Sequence, residues 1–328
     1  MAILDTKLLP RQGSALAKGH RAPNRNLVLL YCGVIAALSL GSNGLNLYLD
    51  SQIGTTGGLD GLGVRSVLQT IQEVLSYINI FFTPFWSAGF LFAMVNMVRG
   101  ESPKCGDLLE GFRRFGRVLF ATLYEAVLTI SLAVSTFLLA MLVFSFTPMA
   151  DRFLELMLPI VSDPNIYLPD GSLNMALIPA EAITMGSIPL IVIWMVLLLA
   201  ACMYLSYCLR MGPYLMMERK IGGVAALFES RRLMRGHKWQ MLKLDLRFWW
   251  YHGLGVLVSA VCYLDVILAL LGVPVPFGEM TMYFLTLGAY CVLLTALYLW
   301  KKCDVDAAYV LAYEAIAHPI EDAVAEVE

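Results

Sequence analysis

Residues 118–146 read VLFATLYEAVLTISLAVSTFLLAMLVFSF, and this stretch decides the fold. It contains one charged residue, Glu125, and neither proline nor glycine. A bilayer's hydrocarbon core, about 30 Å thick, is crossed by about 20 helical residues. Inside lipid the backbone must satisfy its own hydrogen bonds, so an apolar run of this length reads as a spanning helix. The period-two alternation of a barrel strand is absent.

Five further runs of similar character lie at 27–49, 74–98, 188–209, 248–273 and 280–300. The whole chain is 59% hydrophobic and 15% charged, where soluble domains carry about 25% charge. The expected fold is therefore all-α: a polytopic membrane helix bundle with six transmembrane helices. A cytoplasmic N-terminal segment (1–26) precedes the six-span domain (27–300), and a cytoplasmic tail (301–328) follows it.

The cations set the orientation. The N-terminal segment carries Lys7, Arg11, Lys18, Arg21 and Arg25, whereas the first outer loop has only Arg65. The 99–117 loop holds five, the next outer loop only Arg152, and the 210–247 loop holds nine. With Lys301 and Lys302, 21 of the 23 basic residues fall on one side. The positive-inside rule makes that side the cytoplasm and places both termini there. Trp239, Trp249, Trp250 and Trp300 cluster at the inner ends of the last two spans, as aromatic belts do. The acidic, proline-rich stretch between spans three and four reads as a solvated outer cap.

An internal similarity links two cytoplasmic loops. Arg113-Arg114-Phe115-Gly116-Arg117 recurs as Arg231-Arg232-Leu233-Met234-Arg235. Around the first copy, Leu108, Leu109, Phe112, Phe115 and Leu119 share one helical face, opposite Glu110, Arg113, Arg114 and Arg117. Around the second, Ala226, Ser230, Leu233 and His237 form a stripe whose small members allow close helix approach. The expectation is two amphipathic cytoplasmic interfacial helices in a parallel internal repeat of span, helix, span.

Residues 225–239, AALFESRRLMRGHKW, carry a longer signature. This segment resembles the hallmark of an uncharacterised bacterial multi-pass membrane protein family, catalogued as domain of unknown function 975. Its pattern runs roughly Ala-Leu-x-x-Ser-x-x-Leu-Met-Lys-Gly-x-Lys-Trp, with Arg235 here in place of the lysine. Leu108 to Phe115 is similar to that family's earlier Leu-x-x-Gly-Phe-x-x-Phe segment, and Ala307 to Ile316 to its C-terminal aromatic helix. Asp245 and Arg247 depart from the pattern, as does Ala312-Tyr313 where a Phe-Tyr pair is common. The resemblance implies a fold and a location in the bacterial cytoplasmic membrane, and no reaction.

Candidate sites follow from charge in unusual places. Glu125 lies about two turns into its span, and an ionisable group there is costly enough to invite a role. Arg247, His252 and Lys243, at the inner end of the fifth span, are its candidate partners for an ion or proton site. Arg113, Arg114, Arg117, Arg231, Arg232, Arg235 and Lys238 are candidates for docking anionic lipid or a membrane protein partner. No nucleic-acid partner is expected, because the basic loops obey the topology rule.

Hydrolase, metalloprotease and phosphate-loop motifs are missing. The four histidines are dispersed and the seven cysteines form no Cys-x-x-Cys pair, so neither a metal site nor a cofactor is expected. The function expected is a non-enzymatic membrane protein with lipid- or partner-docking helices. The alternative is a small-solute or peptide transporter or exporter with a site between the repeats, near Glu125.

Overall fold

The computed structural model describes residues 6–55, 61–161, 180–219, 221–264, 267–268, 271 and 279–318. In chain order the helices are α1 (Leu9–Gly19), α2 (Arg21–Thr55), α3 (Gly61–Val98), α4 (Glu110–Arg113) and α5 (Phe115–Ser145). Then come α6 (Pro148–Val161), α7 (Ala180–Leu209), α8 (Gly212–Glu218), α9 (Gly223–Leu233), α10 (Lys238–Arg247) and α11 (Trp249–Ala260). Finally, α12 (Glu279–Leu297) passes through a π turn at Tyr298–Lys302 into α13 (Cys303–Ala317). No strand occurs among the described residues.

Five stretches are long and apolar enough to cross a membrane: Arg21–Leu45, Phe81–Val98, Phe115–Ser145, Ile188–Glu218 and Thr281–Ala317. They coincide with five of the six expected spans. On Phe115–Ser145 and Ile188–Glu218 many apolar side chains face outward, as at Ile130, Leu138, Val196 and Leu199, which in water would be untenable. The expected fifth span, 248–273, is not among the five. There α11 gives way to a 3-10 turn at Val261–Tyr263, and residues 265–266, 269–270 and 272–273 lie outside the described residues.

The chain forms two compact units. One comprises Thr122–Leu209. In it the Trp194 indole donates from Nε1 to the Ala133 carbonyl at 3.3 Å and meets the Phe137 ring edge-on. The expected outer cap contains α6, whose Phe153 lies against Phe144. Residues 162–179 of that cap lie outside the described residues.

The other unit joins Met1–Ala121 to Arg210–Glu328 and holds most of the core. Met94, Met97, Met211, Met217, Met234 and Met241 are all fully buried there. Unbranched thioethers suit the irregular gaps between short helices. The first and last described helices, α1 and α13, are built into this core. Leu9, Gly13 and Ala17 are buried at spacings of four on α1. A Cβ at Gly13 would lie 2.8 Å from the Ala308 nitrogen and 2.9 Å from the Asp304 carbonyl oxygen, so α1 rests directly on the backbone of α13. On α13, Ala307, Ala308, Val310, Ala312 and Tyr313 have no exposed surface.

The expected amphipathic helix at the first basic segment is corrected. Cys105–Leu109 forms a 3-10 turn and α4 ends at Arg113, with Arg114 breaking the helix before α5 begins at Phe115. The reason is backbone proximity. Gly111 lies directly on the Phe85 carbonyl and Gly89 directly on Leu108, so this segment turns along α3 rather than presenting a continuous face. Leu108 is buried as expected, but Leu109 and Phe115 are exposed. The second segment is helical, as α9, only to Leu233; Met234–His237 turns, with Gly236 at φ 89°, so Arg235 and His237 lie beyond the expected helix, while Ala226 and Ser230 on α9 are fully buried. The Ser230 hydroxyl accepts from the Met211 N–H at 3.0 Å, and Leu227 fits against Gly212. Small residues thus bring α9 close to α8.

Candidate functional site

Three charged clusters occupy the larger unit. The first begins where α3 stops. Gly100, at φ 90°, takes the left-handed conformation that ends many helices. Arg99 stands just before it and turns back onto two carboxylates. Its Nε donates to Glu314 Oε1 at 2.9 Å, and its Nη2 pairs with Glu218 and, at 2.8 Å, with Glu314. The Tyr313 hydroxyl donates to the other oxygen of Glu218, and His318 Nε2 lies 3.0 Å from Glu218 Oε1. Partial burial opposes the charge on Arg99, but Glu218 and Glu314 outweigh it and push its pKa up. Oxygen and nitrogen atoms of Glu218, Glu314 and His318 lie within 4.8 Å of one another, close enough for a metal ion. The guanidinium already holds both carboxylates, so an ion would first have to displace it.

The second cluster is a bidentate pair. Arg210 donates from Nη1 and Nη2 to the two oxygens of Asp245 at 2.7 and 2.8 Å. Planar forks of this kind are the strongest charge-assisted hydrogen bonds. Tyr309 donates to Asp245 Oδ1 at 2.6 Å, and the Arg210 guanidinium lies 4.5 Å over its ring. His252 Nε2 sits 3.1 Å from the same hydroxyl. Because the single tyrosine proton goes to Asp245, His252 must donate from Nε2, which fixes its tautomer.

The third cluster surrounds Lys302, which ends the π turn. Its ammonium lies 4.7 Å over Phe90, 4.8 Å over Tyr298 and 5.5 Å over Tyr31. Asp306, one turn further on, pairs with it at 3.0 Å. Aromatic faces attract cations most when water is excluded.

The structure divides the candidates read from sequence. Arg114 donates to the Met217 carbonyl and lies 5.0 Å over Phe92, while Arg117 donates to the Arg219 carbonyl at 3.4 Å. Both are spent within the protein. Arg113 and Arg232 are 73% and 77% exposed, and their partners Glu110 and Glu229 are only one turn away. Arg231 and Arg235 are exposed, and Lys238 is half-buried. Glu125 is half-buried on α5 within the smaller unit, where no cation pairs with it among the described residues. Arg247 and His252 belong to the larger unit. His252 joins the Asp245 cluster, and Arg247 is exposed at the end of α10.

Sequence reasoning missed Arg99, Arg210, Glu218, Tyr309, Glu314 and Lys302 as interior partners. It counted the cations as topology markers. The available signal was the acid placed beside each apolar run, namely Glu218, Asp304, Asp306 and Glu314.

Comparison with known proteins gives one match. The family model described as Protein of unknown function (DUF975) matches residues 20–318. No curated protein and no solved structure matches the chain.

Proposed function

The chain belongs to the DUF975 family of proteins of unknown function, and from that premise we propose that it is a non-enzymatic multi-pass membrane protein whose exposed basic face docks anionic lipid headgroups. One observation carries this reading. Arg113, Arg231, Arg232 and Arg235 are exposed, and so are Phe228 on α9, Trp239 and Leu246 on α10 and Trp249 at the start of α11. Cations mixed with aromatic rings suit the headgroup layer, where each basic residue contributes about 1 kcal/mol.

The proposal includes six spans in a bacterial cytoplasmic membrane with both termini inside. The contact of α1 with α13 supports it, because it holds the two ends of the chain together and so favours an even number of crossings. The sixth crossing falls at 248–273. The two basic segments each lie between apolar stretches, which supports a parallel repeat of topology even though their local helices differ.

Lipid selectivity around the full-length protein in proteoliposomes, read with spin-labelled lipids, tests the docking role. Phosphatidylglycerol is expected to be favoured over phosphatidylcholine several-fold at low salt. That preference should fall toward parity in R113Q/R231Q/R232Q/R235Q and in high salt. Equal association of both lipids with the unaltered protein would end this reading, and an acidic protein partner would become the better occupant.

A second reading rests on Glu125, a half-buried carboxylate in an apolar helix without a pairing cation among the described residues. A transport site there requires proton or solute flux in proteoliposomes that Glu125→Gln abolishes. The expected result is no flux in either protein. Flux that depends on Glu125 would replace lipid docking with transport.

A further inference from the structure

A cavity of about 770 Å³ opens in the larger unit between the start of α2 and the junction of α12 with α13. Four cations line it: Lys18, Arg21, Arg25 and Lys301. They face a single carboxylate, Asp304, which already binds Lys301 at 2.9 Å and accepts from Ser14 at 3.2 Å. Among the described residues no carboxylate pairs with Lys18, Arg21 or Arg25. These three positive charges are therefore left unneutralised around one space.

Their position is locally unfavourable. Arg21 and Arg25 lie four apart in the first turns of α2, which carry no acid. Like charges at that spacing repel, and a helix N-terminus disfavours cations. A bound anion would offset both effects.

A second observation concerns Asn24, which lines the same cavity and is 5% exposed. Its Nδ2 donates to the Ala17 carbonyl at 3.1 Å and approaches Met97 Sδ at 3.3 Å, which orients the amide. Its buried Oδ1 has no hydrogen-bond partner. Orphan buried acceptors are rare enough to require an explanation, and a ligand hydroxyl would supply the missing donor.

The remaining wall is apolar, formed by Val28, Leu299 and Trp300, and Trp300 is 60% exposed. Leu29 and Leu30 are exposed beside it on α2. Both helices belong to stretches apolar enough to cross a membrane. We infer that this cavity is a specific site for one anionic phospholipid with a hydroxylated headgroup: phosphodiester against Lys18, Arg21 and Arg25, hydroxyl on Asn24, and acyl chains along Val28, Leu299 and Trp300. Basic pockets of this kind between membrane helices take lipid headgroups. The inference builds on the lipid reading of the exposed face but assigns a different set of residues.

Native mass spectrometry of the full-length protein, stripped of lipid in mild detergent and titrated with defined lipids, tests it. One phosphatidylglycerol should be retained per chain, phosphatidylcholine should bind at least tenfold more weakly, and soluble glycerol 3-phosphate should not compete at the same concentrations. K18Q/R21Q/R25Q should weaken phosphatidylglycerol at least tenfold while melting no lower than the unaltered protein without lipid. If the triple variant does not fold, Arg25→Gln alone carries the test. Asn24→Leu should weaken phosphatidylglycerol but not phosphatidylmethanol, which has the charge and lacks the hydroxyls. The R113Q/R231Q/R232Q/R235Q variant should keep its single bound lipid, so failure of the exposed face and failure of the cavity give separate results. Unchanged binding by the cavity variants, equal binding of phosphatidylcholine, or full competition by glycerol 3-phosphate would overturn the assignment.

Discussion

Replacing Arg210 with alanine is expected to lower stability by about 3 kcal/mol, whereas R210M/D245L should lose far less. The pair is bidentate, with side chains 23% and 18% exposed. Removing the guanidinium leaves Asp245 in a poorly hydrated position without its bidentate counter-charge, and the Tyr309 proton does not replace it. An uncompensated buried charge costs more than the pair contributes. Removing both charges leaves no such debt, although the Tyr309 hydroxyl then lacks its acceptor. Denaturation midpoints in mild detergent for R210M, D245L and R210M/D245L against the unaltered protein close the cycle. Additive losses would mean that the pair is solvated and that this account of the cluster is wrong.

Gly111→Ala and Gly89→Ala should be more damaging still, exceeding the roughly 1–3 kcal/mol typical of an overpacked core. At both positions a methyl group would collide with main chain: the Phe85 carbonyl at Gly111 and Leu108 at Gly89. Backbone cannot rotate aside as a side chain does. The two contacts lie within the same helix–turn packing, so either substitution should pry the 105–113 segment from α3. Gly106 and Gly116 have open space around them, and their alanine variants serve as matched controls. Folded yield and melting temperature are the readouts. An alanine at Gly111 that melts like the Gly116 control would contradict the close approach.

Much of this fold is legible in the sequence because lipid imposes a simple rule. A run such as 118–146 has no alternative to a helix, and five expected spans lie where apolar helices are found. Within 248–273, α11 is only 12 residues long and gives way to a 3-10 turn at Val261–Tyr263, so the apolar run there does not make one uninterrupted helix.

The charged clusters were much harder to read. Periodicity reports which face of a helix is apolar, but not which distant helix will face it. Arg99 and Glu314 lie 215 positions apart, and Arg210 sits in the turn between α7 and α8 whereas Asp245 is on α10. The first basic segment departs from its expected helix because its hydrophobic spacing is helical while Gly111 is not a spacer but a contact point on α3. The packing of α1 was visible in principle: Leu9, Gly13 and Ala17 form a small-residue ladder of the kind that draws helices together.

The π turn at Tyr298–Lys302 has a consequence for how one continuous rod serves two environments. In an α-helix each residue advances the azimuth by about 100°, so a locally wider winding resets the angular phase of everything beyond it. Upstream, Met282, Thr286 and Leu287 point inward. Downstream, burial extends around most of the helix, through Val305, Ala307, Ala308, Val310, Ala312 and Tyr313. The wide turn lies between a stretch buried along one side and a stretch enclosed on nearly every side, so each can be tuned in its own register without dragging the other out of alignment.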